Sequence, residues 1–511
     1  MNYLLGTDIG TSGTKTILTD TKGRLIAQDL QEYNVLTPKP LWAEQWPDVW
    51  LEAAKKSIQN TVSKAGELGV AKEDIKAIAI SGLYGGSGIP LDANMEPVRP
   101  CLIWMDRRAE QETAWALEHI GEETLLEITH NGADPYYGYT KILWIKNNEP
   151  ENWNRTKLFL PPNNYVIYKL TGEIAIDYSS AGNIGGIFDM NTRTWSAKLM
   201  EMMDIPMAMM PEKIVESTDI VGGLTSEAAA ELGLPEGLPV IAAGIDCGAA
   251  NIGLGVFEPG VYAAAIGTSM CAALISDRPV KGKGLIVWPY LYDAKNISYY
   301  FAGGATAGAI VKWFCTNFAQ YEIEMEKQGG PNSYDVYNDE AAKIAPGSEG
   351  LIVLPYFMGE RSPIWDSDAK GTIVGLSLAH TRFHVYRAFL EAVAYSLRDA
   401  MEATGEDLGE YILLAGGVTK SRLWRQIFAD VTGYKVVCPI YDVEANMGDV
   451  MLAGIGTGLL TFEEVKQWQV LDEPIAPNPE VHEQYNQMYE LYHSIYHHLK
   501  DDMKALSAFA K

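Results

Sequence analysis

Apolar residues recur along this chain in two rhythms. Short runs in which nearly every position is apolar, Ile75-Lys76-Ala77-Ile78-Ala79-Ile80, Val240-Ile241-Ala242-Ala243 and Tyr411-Ile412-Leu413-Leu414-Ala415, predict buried strands. Longer stretches with helical spacing lie between them. One predicted helix runs from Trp50 to Ala65, and another from His384 to Thr404 places Val385, Phe389, Ala392, Val393 and Ser396 on one face. The alternation continues through both halves and predicts an α/β architecture with sheet cores.

One short phrase interrupts the pattern twice. Asp8-Ile9-Gly10-Thr11-Ser12-Gly13-Thr14-Lys15 near the start and Ala265-Ile266-Gly267-Thr268-Ser269 past the middle each turn an apolar run on Gly-Thr-Ser and send it back as another, Thr16-Ile17-Leu18 and Cys271-Ala272-Ala273-Leu274-Ile275. Each copy reads as a hairpin, so the chain has two related halves. Glycine lets backbone approach a phosphate, and the hydroxyls and N–H groups that follow donate to its oxygens. Either copy alone is ordinary turn chemistry. Together they predict a pair of loops able to hold a nucleotide triphosphate tail across a cleft.

At 511 residues the chain is too long for one core and suggests two domains, 1–245 and 246–511, with the boundary near Gly244. No low-complexity segment marks that boundary, which suggests a tight hinge. The formal charge of −26, from 40 basic and 66 acidic residues, argues against nucleic-acid and anionic-membrane partners and requires any anionic ligand to come with a metal or local N–H donors. The five cysteines, Cys101, Cys247, Cys271, Cys315 and Cys438, are scattered without metal-ligand spacing, as reduced thiols are. The first residues lack a signal-peptide pattern and no apolar run reaches the roughly 18 residues of a membrane span, so a cytoplasmic location is expected.

Asp246 ends an apolar strand and precedes the small residues Cys247-Gly248-Ala249-Ala250. A carboxylate there either caps the next helix or faces a cleft as a general base. Three further stretches give the chain a resemblance. Gly416-Gly417-Val418-Thr419-Lys420-Ser421-Arg422-Leu423-Trp424 follows a strand and opens a helix with Ser421 as N-cap; Phe357-Met358-Gly359-Glu360-Arg361-Ser362-Pro363 precedes Gly375-Leu376-Ser377-Leu378 and His380-Thr381-Arg382; and Lys141-Ile142-Leu143-Trp144-Ile145-Lys146-Asn147-Asn148 stands in the first half. In this order, and with the paired hairpins, they resemble the FGGY carbohydrate kinases of the sugar-kinase, heat-shock and actin ATPase superfamily.

The resemblance implies two ribonuclease H-like (actin-like ATPase) domains with an interdomain catalytic cleft. It implies ATP and Mg²⁺, with Asp8 as the metal-side carboxylate, Asp246 as the base, and Gly10, Thr11, Ser12, Lys15, Gly267, Thr268, Ser269, Gly304, Gly416, Gly417 and Ser421 around the nucleotide. It also implies a sugar pocket at Tyr84, Gly85, Trp104, Asp106, Tyr136 and Asp246, where aromatic faces pack on the carbon skeleton and carboxylates accept from hydroxyls. The acceptor expected is a small sugar or polyol, foremost a ketopentose such as xylulose, with a glycerol- or erythritol-like polyol as the alternative. Similar kinases are commonly homodimers.

Two departures fall on the acceptor side. Where xylulose kinases usually read Gly-Gln-Met-His and glycerol kinases place Arg-Glu, this chain reads Gly82-Leu83-Tyr84-Gly85-Gly86, and Gly138 stands where Pro, Ser or Thr is usual. A non-kinase ATPase of the same fold would need a peptide-binding or self-assembly appendage, and after the nucleotide domain the chain offers only Ala453 to Lys511, read as closing helices. A sugar-binding regulator without catalysis would have no need of both Asp8 and Asp246.

Overall fold

In the computed structural model, which describes residues 1–280, 284–406, 408–440 and 444–509, the hairpin at the start of the chain consists of β1 (Tyr3–Ile9) and β2 (Gly13–Asp20), paired antiparallel with Asp8 opposite Lys15. Then come β3 (Leu25–Glu32), helix α1 (Pro47–Glu67) and β4 (Ile75–Gly82), the last pairing parallel with β1 so that Asp8 stands opposite Ser81. Helix α2 (Gly138–Asn148), strands β5 (Ile220–Gly223) and β6 (Pro239–Ile241) and helix α3 (Asp246–Gly253) follow. The sheet order is β5-β6-β4-β1-β2-β3. Its parallel strands β1, β4 and β6 are apolar at nearly every position because both faces are covered, which is why they read as continuous runs. Helix α1 covers one face with Trp50, Ala54, Ile58, Thr61 and Ala65, spaced three or four residues apart. Leu5, Ile9, Ile78, Ile80, Val166 and Leu170 complete that core.

The second sheet repeats the scheme. Strands β7 (Tyr262–Ile266) and β8 (Met270–Ser276) form the second hairpin, and helix α4 (Gly308–Phe318) follows. After helix α5 (Arg382–Glu402) comes β9 (Tyr411–Gly416), parallel to β7; helix α6 (Arg422–Thr432) then leads to β10 (Lys435–Val437), parallel to β9. Both sheets are therefore an antiparallel hairpin whose first strand pairs on its other side with a later parallel strand. Helix α5 differs from its expected single apolar face, since every residue from Tyr386 to Leu397 is buried. Helices α4 and α6 both pack against it. Its charged pair survives burial because Arg387 Nε donates to Glu391 at 2.9 Å, and Glu391 also accepts from Gly347 N, Ser348 Oγ and Tyr485 Oη.

The chain ends with helices α7 (Ala445–Gly456) and α8 (Pro479–Ser507). They do not form one closing layer. Two compact units divide the chain: Met1–Phe257, Ile286–Tyr299 and Val443–Gln469 make the first, and Glu258–Leu285, Tyr300–Asp442 and Val470–Lys511 the second. Helix α7 thus belongs with the first sheet, and residues 246–257, which the sequence reading groups with the second domain, lie in the first unit. All five cysteines are free thiols. Among the described residues no helix is long and apolar enough to cross a membrane.

Helix α7 packs on β1 and α3 at backbone distance. A Cβ on Gly448 would collide with the Ala249 carbonyl oxygen of α3, and one on Gly6 of β1 would collide with the Asn446 carbonyl. Gly448→Ala is therefore expected to lower stability by about 1–3 kcal/mol through forced separation of α7 and α3. Chemical denaturation of the two proteins measures it; an unchanged midpoint would mean that the helices slide apart without cost.

Candidate active site

In the first unit the parallel strands stop together, and their ends carry the polar groups. Leu83 N donates to Ile9 O at 2.8 Å and Gly82 N to Gly244 O at 3.0 Å, so the ends of β1 and β4 and the chain leaving β6 lie side by side. That chain turns through Ala243, whose φ of +47° is left-handed, and Ile245 N is held by Ser179 Oγ at 3.1 Å. Asp246 then occupies the first turn of α3. The N-cap residue is Ile245, and the Asp246 carboxylate accepts from its neighbour Cys247, from the N–H at 2.6 Å and from the side chain. It is not spent on capping.

Asp8 and Asp246 are both partly exposed, and a third acid joins them from α7. Ser81 Oγ lies 2.9 Å from Asp449 Oδ2 and 3.4 Å from Asp8 Oδ1; Ser81 and Asp449 are fully buried. Burial, and then the charge of Asp246, push the Asp8 carboxyl up to about 8, with the Ser81 hydrogen bond and Lys15 pulling the other way. Burial pushes Asp246 up to about 6 against the pull of the Cys247 N–H. Asp449 is held well above the usual carboxylate range by burial, then by Asp8 and Asp246. Lys15, expected at a phosphate, is ion-paired with Glu444.

These acids suit a hard divalent cation. Oxygen is the only donor type they offer, and Asp449 Oδ1 is buried without a hydrogen-bond partner. Among the described residues no three of His, Cys, Asp and Glu are arranged to hold a metal ion. A cation here would keep most of its shell as water and phosphate oxygens, as Mg²⁺ does.

The first hairpin turn is closed by Gly10 N donating to Gly13 O at 2.9 Å. Tyr33, unremarked in the sequence, pins it twice, with its hydroxyl on Gly10 O at 2.7 Å and its N–H on Ser12 O at 3.0 Å. Trp104 Nε1 donates to Thr11 Oγ1 at 3.1 Å, which joins an expected sugar residue to the expected phosphate loop.

Of the other acceptor-side residues, Tyr84 and Tyr136 pack with centroids 4.9 Å apart and their planes tilted by 43°. Around Tyr84, Gly85 and Gly86 the open space is only about 10 Å³, bordered by Ile245 next to Asp246. Asp106 is not brought to it. Its buried carboxylate accepts from Ala43 N at 2.7 Å and from Arg108 Nε and Nη2 at 2.7–3.0 Å, so the guanidinium two residues on holds both oxygens. The two sequence departures prove to be one feature. A side chain at Gly138 would collide with the Gly86 carbonyl and come within 3.1 Å of the Tyr84 hydroxyl.

In the second unit the loop Gly267-Thr268-Ser269 is held from behind by the start of α4: Gly308 N donates to Gly267 O at 2.8 Å, and Ala307 N and Ala309 N to Thr268 O at 3.0 and 3.1 Å. Its carbonyls are thereby used up. Gly416 has φ +85°, which lets it lie against Ile266 O. Ser421 caps α6 by accepting from Trp424 N at 3.2 Å. A cavity of about 1100 Å³ is lined by Gly267, Thr268, Gly417 and Ser421 together with residues the sequence did not single out, among them Lys312, Trp313 and Asn338. Ser269, Gly304 and Gly416 do not line it; Gly304 O accepts from Arg361 Nη2 at 3.1 Å. The volume is at the upper end of small-molecule pockets and accommodates a nucleotide.

Sequence profiles of the FGGY family of carbohydrate kinases match this chain twice, the N-terminal domain over residues 3–253 and the C-terminal domain over residues 262–457. The chain is 31% identical to the xylulose kinase of Bacillus subtilis over 522 residues, covering 100% of both. It is 29% identical to the gluconokinase of Bacillus licheniformis over 516 residues, covering 100% of this chain and 98% of the other. Its fold superposes on the crystal structure of ligand-bound xylulose kinase from Lactobacillus acidophilus with a TM-score of 0.89 at 26% identity, over 98% of each chain.

Gly138→Ser restores a residue type usual at that position and tests the collision with Gly86. It is expected to cost about 1–3 kcal/mol by overpacking and to raise the acceptor KM. Thermal melting and steady-state kinetics measure both; wild-type values in each would show that Tyr84 and Gly86 give way freely.

Proposed function

The chain belongs to the FGGY family of carbohydrate kinases, ATP-dependent enzymes that phosphorylate a sugar hydroxyl, and from that premise we propose that its acceptor is a ketopentose such as xylulose and that Asp246 is the catalytic base. The observation that carries the assignment of the base is the placement of Asp246 in the first turn of α3, just past the turn that leaves β6, uncommitted to capping and with its charge acting on Asp8. Full-length likeness to a xylulose kinase favours the ketopentose. Gly85, where xylulose kinases usually have histidine, and the likeness to a gluconokinase keep an aldonate or polyol as the second reading.

In this reading the adenosine of ATP lies along Gly417 and Ser421 in the large cavity, with its phosphates against Thr268 and Ser269. Tyr84 and Tyr136 pair on the acceptor side, and Trp104 steadies Thr11. Asp106 is left out of the pocket and acts by fixing Arg108. As the acceptor oxygen bonds to the γ-phosphorus, the bond from that phosphorus to the bridging oxygen of ADP breaks and the hydroxyl proton passes to Asp246. Asp8 would hold Mg²⁺, which would supply charge neutralisation on the phosphoryl oxygens when bound. The five free thiols support a reducing, cytoplasmic location.

Asp246→Asn is expected to lower kcat by about 10²- to 10⁴-fold while ADP affinity stays within about twofold. A near-wild-type turnover would remove Asp246 from the role. A base must be deprotonated to act. Because burial raises the Asp246 carboxyl to about 6, kcat/KM should rise with pH through an apparent value near 6, and a flat profile down to pH 4.5 would contradict the assignment. ADP release measured over ketopentoses, ketohexoses, aldonates and polyols, with a no-acceptor control, identifies the acceptor. Hydrolysis of equal rate with every compound and with none would sink the kinase mechanism.

A further inference from the structure

Helix α7 has only two polar side chains, Asn446 in its first turn and Asp449, its only charged residue. An acid there is costly. It is fully buried, and no lysine or arginine is hydrogen-bonded or ion-paired to it among the described residues. A buried carboxylate in that condition costs several kcal/mol unless a proton or a cation neutralises it, whereas an alanine or valine would pack the helix at no such cost. Its surroundings are specific. Oδ2 accepts from Ser81 Oγ at 2.9 Å, and the same hydroxyl lies 3.4 Å from Asp8 Oδ1, so one serine spans the two acids. Oδ1 is buried with no hydrogen-bond partner. Asp8 and Asp246 are the charges that act on Asp449 most strongly, and Lys15 and Glu444 are the other charged groups acting on Asp8.

We propose that Asp449 is a second carboxylate of the divalent-cation site centred on Asp8, with its free Oδ1 as an acceptor for the hydrated cation and Ser81 fixing the two acids in register. The inference rests on the reading that Asp8 is the metal-side carboxylate and extends it to a residue more than 400 positions away in the chain. Asp449 acts as a positioning residue: it holds the cation's water shell and makes no contact with the transferred group.

The test uses manganese(II) as a probe of the full chain in the presence of ADP, titrated by electron paramagnetic resonance, with Asp449→Asn and Asp8→Asn compared with wild type. Asn keeps the size and the acceptor that Ser81 needs. Asp449→Asn should weaken manganese binding by about tenfold to a hundredfold, leave metal-free ADP binding within about twofold, and keep or raise the melting temperature because a buried like charge is gone. In turnover assays the Mg²⁺ concentration for half-maximal rate should rise about tenfold or more while the acceptor KM stays within about twofold, a split that loss of packing would not give. Wild-type manganese affinity in Asp449→Asn together with a loss in Asp8→Asn overturns the role of Asp449 and leaves that of Asp8 standing. Wild-type affinity in both overturns the cation site itself. Should Asp449→Asn fail to fold, Ser81→Ala carries the test, since it removes the bridging hydroxyl and no charge; unchanged manganese affinity there overturns the proposal.

Discussion

Holding Asp8 and Asp449 on one serine hydroxyl, with the charge of Asp246 acting on both, works against electrostatics. Each charge raises the free energy of the others, and burial adds to the cost. Rigid elements maintain the arrangement. Asp8 and Ser81 are fixed opposite each other by the β1–β4 register, Asp246 by the turn through Ala243 onto α3, and Asp449 by a helix that lies against both β1 and α3. Glycine at 6 and 448 is what lets α7 approach that closely. A bulkier residue at either position would move Asp449 away and relieve the repulsion. The packing of the first unit and the chemistry of its site are therefore one constraint.

The burial of Asp246 suits the proposed chemistry. A base must be unprotonated at working pH and still bind a proton well, and a carboxyl raised from the usual carboxylate range to about 6 meets both needs. A carboxylate in open water would be too weak a base. Neighbouring acids that lack a full complement of protein cations also leave room for an exogenous one. Lys15, the cation nearest in sequence to Asp8, is engaged by Glu444 and so competes less for that space.

Much of this was legible in the sequence, for stated reasons. The parallel strands are buried on both faces and appear as continuous apolar runs, and the Gly-Thr-Ser turns are bounded by those runs, so both hairpins could be read directly; Asp246, read at a strand end, lies beyond the turn that follows β6, in the first turn of α3. Gly417, Thr268 and Ser421 line one cavity as expected because strand ends of the same sheet carry them. Asp449 was missed because its partners Ser81 and Asp8 are far off in the chain, although a lone acid in an apolar helix is a signal that could have been read. Asp106 misled for the opposite reason. The resemblance groups it with Trp104 in a pocket, but Arg108 folds back onto it, and no periodicity reveals a side chain closing on its neighbour two residues away.

The two sheets began from one plan and have been filled differently. In each, a hairpin turns on Gly-Thr-Ser and a later parallel strand ends in small residues beside it. The first unit puts acids at those ends. The second puts Gly416, Gly417 and a helix start whose N–H groups hold the loop carbonyls, and opens a cavity of about 1100 Å³ beside them. Acid ends serve proton transfer and cations, while neutral, glycine-rich ends admit a polyanion and a flat base at close range. An acid cluster in the second sheet would repel phosphates, and a glycine in place of Asp246 would remove the proposed base. The divergence of side chains on a shared backbone plan is thus what a two-substrate phosphotransferase requires of a duplicated fold.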